Sequence, residues 1–442
     1  MGLTAKILRL GTPILIGQIG TIAVGFADTA MVGHYHTDAL ASASFVNNFF
    51  NLVILSAMGF SFGITPLVGA LYPQNKLSGI GSLMRSALAA NVMFGLLVIV
   101  LMTIAYCCIG YMNQPPELLP LIRSYFLIYL LGIIPVVIFN AFSQWAYAIG
   151  RTGMPMWIIL SGNIVNILGN YLLIEGHLGC PELGLNGAGI ATLIARSLCA
   201  IAIAGIFFLK KEYRVYRHGF TDAYVNRKSL GLVWRTSLPV AVQMAFEAGA
   251  FSFAGVVAGW FGTVELAAYQ VIVILGTLGF CTYYCMGSAT SIVVANANGL
   301  NDCAMMRRGA FAGFKVLLCM ATLSSLLFIF AGQYLLMLFT SDQRVTAMAL
   351  SVLVPLVLYQ YADATQINFA GALRGSSHVM PMLWIAIVSY GIIGVPATYL
   401  MAVTFNGGIY GIVLSFSVSL LCAASLFLYT FMKVTRINSN VS

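Results

Sequence analysis

The sequence predicts an all-α polytopic membrane protein of twelve transmembrane helices, arranged as two six-helix lobes related by pseudo-two-fold symmetry. Three observations carry this. Of the 442 residues 60% are hydrophobic and only 7% charged, too little polarity to coat a water-soluble domain of this length. The apolar residues gather into a dozen runs, each near or above the roughly 20 residues that cross a hydrocarbon core as a helix. And the chain repeats itself. Pro13 and Pro239, Gly33 and Gly259, Thr37 and Thr263, Leu40 and Leu266, and Ala41 and Ala267 are all 226 residues apart; Met154-Pro155-Met156 returns as Met380-Pro381-Met382 at the same offset, and Asn186-Gly187 as Asn406-Gly407 at 220.

In chain order the runs fall at 10–33, 41–72, 86–111, 118–148, 155–175 and 187–209, then at 236–260, 266–297, 310–339, 346–372, 381–403 and 408–432. Lys6 and Arg9 precede the first run as in a secretory signal, but the run is of spanning length and lacks a small-residue cleavage site, so it reads as a retained helix. The one long polar interruption, Lys210 to Arg235, carries nine charges and reads as a linker in water rather than a buried element. The expected organisation is therefore a first lobe over 1–210, a cytoplasmic linker over 211–235 and a second lobe over 236–442.

Orientation follows from the basic residues. With the N-terminus in the cytoplasm, the inner side collects 18 of the 21 Lys and Arg: Lys6, Arg9, Lys76, Arg85, Arg151, the seven of the linker, Arg307, Arg308, Lys315, Arg374, Lys433 and Arg436. The outer side receives Arg123 and Arg344, while Arg196 lies within the sixth run. A multi-pass protein of the cytoplasmic (inner) membrane with both termini cytoplasmic is expected. Six spans per half bring both halves in from the same side, related by an axis along the membrane normal, and parallel repeats of this kind are a transporter signature with the substrate site between the halves.

Several function classes fall away. The net charge of +9 follows from the inner-side bias and points to topology rather than nucleic acid. No C-x-x-C pair occurs among the nine cysteines, so neither a zinc site nor a disulfide framework is supported; they read as packing residues, with Cys180 alone in an outer loop. Neither G-x-x-x-x-G-K-[ST] nor H-E-x-x-H occurs. Gly59-Phe60-Ser61-Phe62-Gly63 matches G-x-S-x-G, yet it sits in an apolar helical run rather than a strand-turn-helix, and all five histidines fall in or near loops. The chain is not expected to be an enzyme or to hold a cofactor; transport must run on an ion gradient.

Three acids lie inside apolar runs, Asp28, Glu247 and Asp363. A carboxylate at such depth is costly and marks a functional site by default. Counting helical rise from the nearest inner basic residue places Glu247 and Asp363 at about 18 and 16 Å, near the midplane and at matched depth. Gln243 stands one turn from Glu247, while Tyr359, Asp363 and Gln366 share one helical face. The same gauge sets Asp28, Asn170 and Thr192 at about 27 to 29 Å, with Asn166 one turn from Asn170. Hard oxygen donors around one negative charge suit a small monovalent cation, Na+, or a proton; the plainer reading is an interhelical hydrogen-bond network, which seldom needs a charge.

The motifs P-I-L-I-G-Q at Pro13 to Gln18 and A-D-T-A-M-V-G at Ala27 to Gly33, S-L-P-V-A-V-Q-M-A-F-E at Ser237 to Glu247, Y-Q-Y-A-D-A-T-Q at Tyr359 to Gln366 and G-A-L-R-G at Gly371 to Gly375 resemble those of the multidrug and toxic compound extrusion (MATE) transporters, NorM-like branch. The resemblance covers essentially the whole chain. It implies a monomer in the bilayer that exports lipophilic, often cationic small molecules against inward Na+ or H+. It also implies a cation and substrate site at Glu247, Tyr359 and Asp363, and a first-lobe cation site at Asp28, Asn166, Asn170 and Thr192. Helix five carries Asn170 where some relatives have a second Asp, which leaves that site less negative. Two alternatives stand beside it: a lipid-linked precursor flippase of the same superfamily, expected to line its cavity with several arginines where only Arg196 is intramembrane, and, from another class, an ion channel or intramembrane enzyme, for which neither a filter signature nor a nucleophile with its base is visible.

Overall fold

The computed structural model describes residues 2–112, 114–337 and 342–439. The last two positions of the expected run 310–339, and the outermost residues of the expected lobes (1 and 440–442), lie outside this set.

The chain is helical almost throughout. In order come α1 (Leu3–Tyr35), α2 (Thr37–Ser61), α3 (Ile64–Leu71), α4 (Leu77–Cys108), α5 (Leu119–Leu131), α6 (Ile133–Ala148), α7 (Gly153–Leu173), α8 (Leu185–Leu209), α9 (Arg214–Asp222), α10 (Arg227–Phe261), α11 (Thr263–Gly299), α12 (Cys303–Met337), α13 (Gln343–Ser351), α14 (Leu353–Gly375), α15 (Met380–Ala386), α16 (Val395–Tyr399) and α17 (Gly408–Ser439). Among the described residues eleven helices are long and apolar enough to cross a membrane, and twelve if α13 and α14, bent by 55° at their break, count as one span. Leu97, Val100, Leu101 and Ile104 of α4 stand exposed, as expected of side chains that meet lipid.

Proline sets the breaks. Pro135 lies four residues after Leu131, the last residue of α5, and Pro355 four after Ser351, the last of α13. A proline lacks the N–H that would bond the carbonyl four residues back, and its ring collides with that carbonyl, so the helix ends there. Pro396 similarly follows a π-helical stretch, Ile387–Gly394, where widened turns absorb the missing bond.

The chain divides into two compact units, 16–237 and 1–15 with 238–442. The divisions fall inside α1 and α10, beside Pro13 and Pro239, rather than in the polar segment. That segment is also not the solvated linker expected. Arg214–Asp222 is α9, residues from Arg227 on are the first turns of α10, and Tyr213 and Tyr216 are buried. Two glycines allow this: a Cβ on Gly81 of α4 would collide with Tyr216 O, and one on Gly219 of α9 with Ser78 O. Arg85 then caps the end of α9, donating to Phe220 O (3.2 Å) and Thr221 O (3.0 Å). The charges mark only its outer face, since an amphipathic helix buries its other face whatever its net charge.

In the 16–237 unit, α8 packs on α5, α6 and α7, and fully buried Trp145 takes Phe207, Tyr213 and Tyr216 edge-on at 4.9 to 5.6 Å. The G-x-S-x-G match falls at the break between α2 and α3, not within one helix. Its Ser61 donates to Asn91 Oδ1 (2.7 Å) and Ala57 O, with no histidine partner. The second unit is built around α14, against α11, α12 and α17. Gly371 is what lets α14 lie on α11, for a Cβ there would sit 2.5 Å from Gly287 O. All nine cysteines are free.

Candidate functional site

The second unit places α10, α14 and the π-helical stretch around one polar cluster. Glu247 is 9% exposed and Asp363 1%, with Tyr359 and Gln366 on the same buried face of α14. Gln243 Nε2 donates to Glu247 Oε2 at 2.9 Å, as one helical turn dictates. Asp363 and Glu247 lie within electrostatic reach of each other, and both of Tyr359. Among the described residues neither carboxylate has an ion-pair partner, and Asp363 Oδ2 and Gln366 Oε1 are buried with no hydrogen-bond donor. Two buried carboxylates with no basic neighbour call for a positive charge, whether a proton, a metal ion or a cationic group.

Tyr390 completes this cluster and was not among the sequence candidates. Its hydroxyl accepts from Gln366 Nε2 at 3.0 Å and lies within electrostatic reach of Glu247, linking α14 to α10. It stands in Ile387–Gly394, where the backbone is π-helical, so no α-helical spacing relates it to a carboxylate; the nearest signal is a tyrosine in a Gly- and Pro-containing apolar run. Arg374, counted in the sequence as a flanking basic residue, is 8% exposed at the last turn of α14.

In the 16–237 unit the other four candidates also come together. Asn170 Nδ2, on α7, donates to Asp28 Oδ1 of α1 and to Asn166 Oδ1 (3.3 Å); Asn166 Nδ2 donates to Thr192 Oγ1 of α8 (3.0 Å), which donates in turn to Ala188 O (3.0 Å). Asn170 Oδ1 is buried without a partner. Rotation of that one carboxamide by half a turn would point a third oxygen at the space Asp28 and Asn166 now offer to an N–H. The donor set fits a small hard cation in that rotamer. Asp28, Asn166 and Thr192 line a cavity of about 490 Å³, together with Tyr125, Tyr129 and Arg196.

The likeness to known proteins follows the same division. The MatE family profile matches twice, over 13–172 and 239–400, its two copies starting at the 226-residue offset seen in the sequence. The chain is 26% identical over 434 residues to the probable multidrug resistance protein NorM of Agrobacterium fabrum, covering 97% of this chain and 93% of the relative. To the protein of the same name from Geobacillus kaustophilus it is 27% identical over 413 residues, 92% and 90% covered. Its fold matches a crystal structure of MATE in the bent conformation with a TM-score of 0.91 at 18% identity, covering 100% of this chain and 97% of that one. It matches a MOP superfamily transporter from Pyrococcus furiosus with a TM-score of 0.90 at 18% identity, covering 99% and 97%. With the profile spanning most of both halves, the chain belongs to the MatE family. It is a secondary transporter and an all-α polytopic membrane protein.

Proposed function

We propose that this protein is a multidrug efflux antiporter of the cytoplasmic membrane, exporting lipophilic, often cationic compounds in exchange for inward Na+ or H+. One observation carries the reading: Glu247 and Asp363 share a buried cluster that, among the described residues, lacks a basic residue, with an acceptor oxygen of Asp363 left without a donor. A cationic substrate and a coupling ion then compete for one set of oxygens, and competition of that kind exchanges one for the other. The names of the NorM relatives favour drugs as the cargo.

In this reading Gln243, Gln366 and Tyr390 orient the two carboxylates, and Tyr359 supplies an aromatic wall for a cation. Asp28, Asn166, Asn170 and Thr192 form a second ion site, with Asp28 able to take either a proton or, with the amide oxygens, Na+. The oxygens favour Na+, since a proton needs no carbonyl cage. Binding there shifts the conformational balance only by its differential affinity for the two states, and α1 beside Pro13 is the segment able to bend.

The test is transport of a cationic dye, as uptake into everted vesicles or efflux from proteoliposomes, under a Na+ gradient alone and a pH gradient alone. Glu247→Gln and Asp363→Asn are each expected to abolish active efflux while the protein remains inserted and monodisperse. Normal pumping by both variants would overturn the reading.

A further inference from the structure

Of the nine cysteines, all free, two pairs stand close in the sequence. Cys107 and Cys108 are adjacent, so their side chains leave α4 in different directions. Cys281 and Cys285 are one turn apart on α11 and project from one face. They are 6% and 0% exposed, and among the described residues each thiol interacts with the other. No third His, Cys, Asp or Glu among the described residues joins them in a cluster.

The pair lies half a turn from the residues that join α11 to α14. Tyr283 donates to Gln360 Oε1 of α14 at 2.7 Å, and a Cβ on Gly279 would collide with that same oxygen. At about 100° per residue, Cys281 and Cys285 point the other way. α11 therefore stands between the thiol pair and the helix that carries Asp363. It has no slack on that side, since backbone meets backbone where Gly371 faces Gly287 O. Packing by small side chains explains one buried cysteine as well as it explains an alanine; it gives no reason for two sulfurs on one face.

We propose that Cys281 and Cys285 form a dithiol site for uncharged, monosubstituted trivalent arsenicals, and that its occupation arrests transport. Soft thiolates select soft acceptors, and two sulfurs without a third ligand suit an arsenic that keeps its organic substituent as the third bond. The bent S–As–S arrangement matches thiols one turn apart, where a linear two-sulfur ion would need them further separated. The step balances. An arsenoxide, R–As=O, and two S–H groups give R–As(S)2 and one water; both thiol protons leave on the oxide oxygen, and the arsenic stays trivalent. The product is neutral, as suits a site buried in a membrane helix. Its substituent then overfills a position where Cys285 is fully enclosed, and α11 cannot give way towards α14. The arrest rests on the efflux reading; the chelation does not.

Phenylarsine oxide is the probe. On purified wild-type protein in detergent, mass spectrometry is expected to show a single arsenic per chain on the peptide that holds Cys281 and Cys285. The adduct should withstand excess 2-mercaptoethanol and be removed by 2,3-dimercaptopropanol, the mark of two sulfurs on one arsenic. Cys281→Ala and Cys285→Ala are each expected to abolish the mercaptoethanol-resistant adduct; Cys281→Ser and Cys285→Ser, which keep the volume of the thiol, guard against misfolding of the alanine variants. In proteoliposomes the probe should stop dye transport by the wild type, dimercaptopropanol should restore it, and the single variants should transport normally with the probe present. Absence of the resistant adduct, its attachment to other cysteines, or its survival in either single variant would overturn the dithiol site. Undiminished transport by wild-type protein carrying the adduct would overturn the arrest. A wild type that moves no dye even without the probe counts against the efflux reading, and the dithiol site is then decided by the adduct alone.

Discussion

Asn170 donates one amide nitrogen to both Asp28 Oδ1 and Asn166 Oδ1, while its own Oδ1 is buried with nothing to accept from. The side chain thus closes the first cluster as a hydrogen-bond network and, in the opposite rotamer, would open it as a cage of oxygens. It holds both readings drawn from the sequence, helix glue and ion site, in one amide.

Removal of that amide separates them. Asn170→Ala is expected to raise the Na+ concentration for half-maximal efflux roughly 10-fold, about 1.4 kcal/mol, with little change in maximal rate. Asp28→Asn is expected to uncouple efflux from the gradient altogether. Efflux from proteoliposomes titrated with Na+ at fixed pH measures both; activity driven by protons alone and indifferent to Asn170→Ala would remove Na+ from the mechanism.

Tyr390 supplies a second test. Tyr390→Phe keeps the ring and deletes the hydroxyl that serves Gln366 and Glu247, stranding buried polar atoms at a cost of about 1 to 3 kcal/mol. Efflux should fall roughly 10-fold with the apparent substrate affinity shifted, and the melting temperature of the detergent-solubilised protein should drop. A variant with wild-type efflux would show that the hydroxyl does not orient the carboxylates.

The close approach of α11 and α14 is tested by Gly371→Val. A Cβ at that position meets Gly287 O at 2.5 Å, so the helices must part, with an overpacking cost of about 1 to 3 kcal/mol or more. Gly205→Ala on α8 is the control, since a Cβ there meets nothing within 4 Å. Thermal unfolding should separate the two, the first losing several degrees and the second unchanged or slightly gained through helix propensity.

The docking of α9 predicts an alkaline transition. Burial pushes the Tyr216 hydroxyl up to about 12 from its ordinary 10. The unfolded or undocked segment therefore sheds its proton first, and the stability of docking falls as pH rises from 10 towards 12, being fully present below 10. Limited proteolysis between Lys210 and Arg227 should accelerate across that window in the wild type. Tyr216→Phe should flatten the dependence, and an unchanged profile in that variant would mean that another group controls it.

The proposed orientation rests on the 18 to 2 distribution of basic residues. A cysteine at Asn226, introduced where the outer-loop Cys180 and the exposed Cys107, Cys108 and Cys319 have been replaced, should resist an impermeant thiol reagent outside intact cells and react after permeabilisation. Labelling in intact cells would invert the topology.

Composition and periodicity by themselves make the spans legible, because lipid demands long apolar helices whose backbone bonds close within each segment. The same locality makes two contacts readable from spacing alone: Gln243 with Glu247 and Asn166 with Asn170 are one turn apart, and helical rise brings them together. Asp28, Glu247 and Asp363 stand out because charge inside an apolar run is rare. What joins different helices is not written in any local period. Tyr390 reaches Gln366 and Glu247 through a π-helical stretch that shifts the register of every residue after it. Arg196 of α8 meets Tyr129 of α5 across the packing of those two helices. The charged segment after Lys210 buries Tyr213 and Tyr216 because two glycines, Gly81 and Gly219, let backbones touch where any side chain would hold them apart. Such contacts depend on how helices rotate, cross and break, and those are decided by packing over the whole unit, which only the tertiary structure contains.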